Sequence, residues 1–499
     1  MLLTHEQAIL NAERALNKLV KKHTRAGYKP QWHFSAKRGW INDPNGLIFF
    51  KGYYHLFYQF NPYKPIWGAM HWGHAISRDL INWEHLPIAL APSEVYDNYE
   101  KGGCFSGCAV DDNGILTLLY TGVAYNQGKI VQSQCLALSE DGIHFEKYEG
   151  NPVIAGPPES GSDAFRDPKV WLHENIWYMV IGTSKDGLGK ALLYKSLDLK
   201  KWEYINVLCE SRGEFGSMWE CPDFFELNGK HVLTFSPVGV GYRKAVYLVG
   251  DMDYKTGRFH YQSIGEIDWG FDYYAPQTML DNKGRRIIIA WANSCDWMPW
   301  WKGYSPAISE GWCGSLSFPR EVKLCTDGKL QFIPVEEYKL LRVGHSKKVK
   351  AKVYGETEVS LPASGELCFE MFLEVDVSIS KANKIEIGLK VASSKKTLVI
   401  CDLGKADLIL NRNNSDGWST GENRCPLEVS SEKIIRLHIF VDRSYIEIYT
   451  DNYRTVISGN VYAGDCATGS YLKVYGGDAY IEGFSYILKP IPHSRLAQT

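Results

Sequence analysis

The strongest constraint on this chain is a degenerate internal repeat. Five hairpin-like units begin near residues 43, 106, 167, 220 and 275, each a short apolar strand, a polar or Gly-containing turn and a second strongly apolar strand. Anchored on Pro44, Gly107, Pro168, Pro222 and Pro276, the units are spaced by 63, 61, 54 and 54 residues. A second element recurs at the far end of three units. Asp79–Trp83, Asp141–Phe145 and Asp198–Trp202 each set an aromatic four residues after an aspartate, preceded by Ser77, Ser139 and Ser196, with a looser copy from Asp253 to Phe259. Strand-rich repeats of this length, with room for about four strands each, read as the blades of a propeller. One blade cannot cover its own two faces, so neighbours must pack around an axis.

The expected architecture is therefore all-β: a five-bladed β-propeller over residues 30–334, preceded by a helical extension over 1–29. The first blade looks short of an outermost strand, and the segment from Trp312 (WCGSLSFPREVKL) is expected to supply it and close the ring. In the extension, Thr4 and Gln7 have capping-box spacing, and Ile9, Ala12, Leu16 and Leu19 recur at helical intervals. After Pro334 the texture changes. VEEYKLLR (from Val335) reads as a linker helix over 335–346, and alternating runs such as KIEIGLKV and YIEIYTD over 347–499 predict a β-sandwich.

Charge and composition exclude several classes. Lys and Arg number 55 against 57 Asp and Glu, with no basic stripe, which argues against a nucleic-acid partner. No run approaches the roughly 18 apolar residues that span a bilayer, and Glu6, Glu13, Arg14 and Lys18 interrupt the first twenty residues where a secretory signal would need an apolar stretch. A cytoplasmic protein without a membrane partner is the expectation, and its 12 cysteines are read mostly as reduced, buried thiols. His71 and His74 are three apart in an extended segment and so point to opposite faces, which disfavours a shared metal. Fifteen of the 16 Trp precede residue 313. That skew places any aromatic sugar-stacking wall in the propeller rather than the sandwich.

The repeat also brings carboxylates into register. Asp43 and Asp167 directly precede their anchor prolines, and Glu220 lies two before its own. Equivalent propeller positions converge on one end of the axis, so residues more than a hundred apart in sequence are expected to share one funnel. Crowded like charges raise at least one pKa, and two carboxylates with separate roles are the working parts of glycoside hydrolysis. The one-residue offset of Glu220 would flip its face on a regular strand, which leaves Asp223 as a rival acid.

Trp40-Ile41-Asn42-Asp43-Pro44-Asn45-Gly46, Phe165-Arg166-Asp167-Pro168 and Trp219-Glu220-Cys221-Pro222-Asp223 resemble the signature motifs of glycoside hydrolase family 32, the invertase or β-fructofuranosidase family. Segments around Gln59, Trp67, Phe105, Ser106 and Tyr274, and LHIFVDRSYIEIY from Leu437, extend the resemblance over nearly the whole chain. The shape is more similar to the sucrose and sucrose-6-phosphate hydrolases found inside bacteria than to secreted plant or yeast enzymes.

The resemblance implies a retaining hydrolase of terminal β-D-fructofuranosides such as sucrose, with sucrose 6-phosphate and short fructo-oligosaccharides left open. Asp43 would be the nucleophile, Glu220 the acid/base and Asp167 the transition-state stabiliser, which favours Glu220 over Asp223. Arg166 beside Asp167 is expected to help keep it ionised, and Trp219 and Cys221 beside Glu220 to raise its pKa by desolvation. Asn42, Gln59, Ser106, Arg166 and Tyr274 would meet sugar hydroxyls, with Trp67, Phe105 and Trp291 as an apolar wall. Cys108 and Tyr273 depart from the family pattern and are expected at the pocket rim. Lys37, Arg243, Lys244 and Lys302 are candidates to reach a substrate phosphate. No cofactor or metal is required, the partner is a small-molecule sugar, and the assembly is a monomer or a homodimer.

Overall fold

The computed structural model describes residues 3–22, 27–241, 243–294, 304–378, 381–450 and 452–491. The helix His5–Lys22 opens on the expected capping box: Gln7 N donates to Thr4 Oγ1 (3.3 Å), and Thr4 N donates to Gln7 Oε1 (3.2 Å). Its buried Ala8 and Ala12 face blade one, where Glu13 accepts from Ile88 N (2.9 Å).

Five antiparallel sheets follow, spanning Gly39–Leu90, Gly103–Lys147, Phe165–Glu210, Met218–Glu266 and Tyr274–Pro334. Their inner strands touch in cyclic order, and the last contacts the first, so the five-bladed ring closes. The recurring serine–aspartate element is a side-chain-capped turn. Asp79 Oδ1 accepts from Ile81 N and Asn82 N (2.9 and 2.7 Å), and Asp141 and Asp198 repeat the pattern. Leu80, Gly142 and Leu199 follow the aspartates at positive φ, a strain that the capping bonds offset.

Ring closure differs from the expectation. Blade one owns four complete strands, and Trp312–Cys313 instead pairs in parallel with Gly39–Trp40 on the axial edge of its inner strand. Arg320–Leu324 and Leu330–Pro334 become the two outer strands of blade five. The sequence hides this because blade five is interrupted after Trp291, so its outer half arrives late.

Residues 335–346, expected as a linker helix, hold a six-residue 3-10 turn, Glu336–Leu341, and then the start of the strand Arg342–Tyr354. Two six-stranded antiparallel sheets then stack as a sandwich around a dense aliphatic core that includes Leu373, Ile387, Val399, Ile439 and Ile481.

Propeller and sandwich meet on buried charge. Arg320 from blade five reaches Asp268 and Glu447 (both 2.9 Å) and Tyr449 (2.9 Å), all without solvent exposure. His33 lies between Asp442 (3.0 Å) and Glu447 (3.1 Å). The DRSYIEIY segment from Asp442 thus faces the joint between the two units, not the funnel.

Candidate active site

At one end of the propeller axis lies a pocket of about 600 Å³. Every inner strand carries a register irregularity beside its anchor residue: Ile41/Pro44, Phe105/Gly107, Glu220/Asp223 and Tyr274/Gln277, with the matching shift opposite Arg166–Lys169. Asp167, Cys221 and Ala275, each just before its proline, sit at φ of 66°, 48° and 51°. A bulge re-aims side chains, so two successive residues of one strand can face the axis. The positions two before the anchors are Asn42, Phe105, Arg166, Glu220 and Tyr274, and all five line the pocket. One residue on, Asp43, Ser106 and Asp167 line it as well.

The offset of Glu220 is thereby explained. It occupies the same place in its blade as Arg166 does in blade three, and the bulge turns it inward. The rival Asp223 is fully buried away from the pocket, taking Lys169 Nζ at 2.8 Å and Thr278 N at 2.6 Å.

Hydrogen bonds fix the three pocket carboxylates. Asp43 Oδ2 accepts from Ser106 Oγ (2.9 Å). Asp167 Oδ2 accepts from Cys221 N (2.9 Å), and its own N–H donates to Thr121 Oγ1 (3.0 Å). The Cys221 thiol lies between the two aspartates, 3.7 Å from Asp43 and 3.6 Å from Asp167. Glu220 takes Arg166 Nη2 and Nε on Oε1 (2.7 and 3.2 Å) and the Tyr274 hydroxyl on Oε2.

Burial, reinforced by the charges of Asp167 and Glu220, pushes Asp43 up to about 7; the Ser106 and Asn42 hydrogen bonds act the other way. Asp167 rises to about 6, again mainly through burial, with Arg166 opposing. Arg166 is 4.0 Å from Asp167 and 2.7 Å from Glu220, so its main partner is Glu220 rather than its sequence neighbour. Trp219 is also turned away from where the sequence suggested, stacking on Phe235 (3.9 Å) behind the strand. The groups that meet the Glu220 carboxylate are polar, Arg166 and Tyr274.

The remaining predicted residues divide clearly. Gln59 lines the pocket and donates to Cys104 O (2.9 Å), while Trp67 and Phe105 meet edge-to-face (6.2 Å) at its mouth. Trp291 is buried in the wall against Trp40 and Tyr274. Its Nε1 has no hydrogen-bond partner among the described residues. Cys108 and Tyr273, expected at the rim, are both buried away from it. Cys108 packs between blades two and three, and Tyr273 lies under the Arg320 guanidinium (4.3 Å).

Of the phosphate candidates, Lys302 lies outside the described residues. Lys37, Arg243 and Lys244 do not line the pocket: Arg243 pairs with Glu266 (3.4 Å), and Lys244 donates to Gly241 O (2.5 Å). His74 bonds His55 (3.0 Å), and His71 bonds Ala69 O (2.5 Å).

Sequence reasoning missed Trp40, Lys101, Val123, Ile130, Gln132 and Tyr304 as lining residues. Gln132 Oε1 accepts from Phe165 N (2.7 Å) and from Arg166 (3.4 Å), so it braces the arginine. Trp40 stands inside the motif that carries Asp43 and donates to Asn42 Oδ1 (2.8 Å), and that adjacency was its available signal. The others sit on second or third strands or in loops, where the repeat offers no register.

Residues 33–334 match the glycosyl hydrolases family 32 N-terminal domain, and 337–487 match the family 32 C-terminal domain. The chain belongs to glycosyl hydrolase family 32. It is a glycoside hydrolase of the β-fructofuranosidase type, as the sequence motifs led us to expect. Among family members, a sucrose-6-phosphate hydrolase of Zymomonas mobilis is 40% identical over 474 residues, covering 90% of this chain and 88% of the relative. A raffinose invertase of Escherichia coli is 37% identical over 492 residues (95% and 98%). The solved family 32 β-fructofuranosidase of Bombyx mori shares 32% identity with a TM-score of 0.81, covering 97% of this chain and 99% of that one, and a variant of it was solved with sucrose. Among the described residues no helix is long and apolar enough to cross a membrane.

Proposed function

We propose that this chain hydrolyses sucrose and related terminal non-reducing β-D-fructofuranosides by double displacement with retention. The observation that carries this reading is the convergence of Asp43, Asp167 and Glu220 from three blades in one pocket, each held by different donors. Ionised Asp43 attacks the anomeric carbon of the fructosyl unit. The bond to the leaving sugar breaks as Glu220 protonates its oxygen, leaving a fructosyl ester on Asp43. Glu220, now ionised, takes a proton from water, whose oxygen attacks the same carbon and frees Asp43. Asp167 accepts hydrogen bonds from fructose hydroxyls, and Asn42, Gln59, Ser106 and Arg166 complete the polar cradle.

The names of the relatives favour sucrose or its 6-phosphate as substrate; the proposal places the enzyme in the cytoplasm as a monomer or homodimer, a reading that rests on the sequence alone. We assign the catalytic unit to 30–334 with 1–29 as extension; because the sandwich strand Arg342–Tyr354 already begins inside the expected linker 335–346, the linker shortens to 335–341 and the sandwich starts at 342 rather than 347.

Two measurements test the assignment. Asp43→Ala and Glu220→Ala should each lower sucrose turnover by about 10³-fold or more while the fold persists. Near-native turnover by either folded variant overturns that residue's role. Proton NMR of the first product should show the β anomer of fructose ahead of mutarotation, and an initial α anomer excludes the retaining course.

A further inference from the structure

Blade two carries a feature that the reaction at the carboxylates does not use. Its second and third strands, Ile115–Asn126 and Lys129–Ser139, form a long hairpin whose pairs Thr121↔Gln134, Val123↔Gln132 and Tyr125↔Ile130 share one face. The first pair lies against the catalytic centre: Thr121 Oγ1 accepts from Asp167 N (3.0 Å), and Gln134 Nε2 donates to Phe165 O (2.9 Å). The second pair, Val123 and Gln132, is pocket wall. Two residues along a strand advance about 7 Å. The third pair therefore stands one step further out, with Ile130 still lining the pocket mouth and Tyr125 beyond it.

This outer step is apolar, exposed and braced. Tyr125 is 57% exposed and Ile130 47%. The Tyr125 ring is stacked on Tyr99 (centroids 5.5 Å apart, planes at 22°), and Tyr99 N donates to Val123 O (3.3 Å). An exposed aromatic ring supported from behind and continuous with a sugar pocket presents the apolar, amphipathic surface that suits a sugar face. Lys101, on the same loop as Tyr99, adds a donor at the mouth.

We infer that Tyr125, backed by Tyr99 and flanked by Ile130, is a shelf for the distal sugar of an uncharged oligosaccharide whose leaving group is longer than one unit. This rests on the hydrolase reading above. The terminal fructosyl unit sits at the carboxylates, the adjacent sugar passes between Trp67 and the Val123–Gln132 step, and the next ring lies on Tyr125.

The test compares sucrose with raffinose and 1-kestose, trisaccharides that add one sugar to the leaving side. For Tyr125→Ala, kcat/KM for at least one trisaccharide relative to sucrose should fall five- to tenfold, mainly through KM, and Tyr125→Trp should restore the ratio. If both ratios stay within twofold of wild type, the shelf is excluded. Calorimetric binding of the same sugars to Asp43→Asn protein, with and without Tyr125→Ala, gives the same comparison without turnover. Wild-type hydrolysis of sucrose tests the underlying reading separately.

Discussion

At the scale of single residues, the pocket sets one carboxylate against another. On the proposed mechanism Asp43 has to be ionised to attack, yet burial and two like charges raise it to about 7. The Ser106 hydroxyl opposes that shift by donating to the ionised form. Ser106→Ala removes the donor, so the Asp43 pKa should rise further. The acid limb of the kcat/KM profile should then move to higher pH by roughly 0.5–1 unit, with the greatest loss of activity below neutrality. A limb that stays put or moves to lower pH would show that Asp43 is not the group titrating there. Because Asp43 and Asp167 are both raised in one pocket, the profile reports their joint titration, and the direction of movement is the diagnostic quantity.

The elements explain how much of this was legible beforehand. The anchor prolines made the repeat visible, and with it Asp43, Asp167 and Glu220 in their blades. The bulges were not visible, because positive φ at Asp167, Cys221 and Ala275 leaves no composition signal. Without them the Glu220 offset looked like a change of face, and Asp223 looked competitive. Gln132 was missed for a related reason: it comes from a third strand that the anchors do not index. Bulged inner strands also demand close backbone contact between blades. At Gly182, paired with Arg166, an added Cβ would lie 2.0 Å from the Trp219 carbonyl oxygen, next to Glu220. Gly182→Ala should push blade four away from blade three, costing about 1–3 kcal/mol. It should also lower kcat more than it raises KM, because the Arg166–Glu220 contact crosses that seam. Denaturant unfolding and steady-state kinetics on one preparation check both parts, and wild-type stability would contradict the contact.

At the scale of the whole molecule, the sandwich is joined to the propeller by charges that must be satisfied without water. Both His33 ring nitrogens face carboxylates, Asp442 and Glu447, and only the protonated imidazole donates to both. Burial alone would lower the His33 pKa, but the bonds and charges of Asp442 and Glu447 outweigh it and raise the pKa overall. Glu447 falls to about 2 although its own burial acts upward, because Arg320 and His33 prevail. The signs define a window. A raised histidine contributes stability that is complete below the unfolded value of about 6.5 and fades as pH climbs through the folded value. A depressed glutamate contributes above its unfolded value of about 4.5 and fades as pH falls toward 2. His33→Gln, which keeps the size but not the charge, should therefore be most destabilising between roughly pH 5 and 6.5, by about 3 kcal/mol. The penalty should shrink on the alkaline side. Urea unfolding of both proteins from pH 4 to 9 measures that difference directly. A penalty independent of pH would mean that His33 is neutral in the joint and that Arg320 alone balances the buried carboxylates.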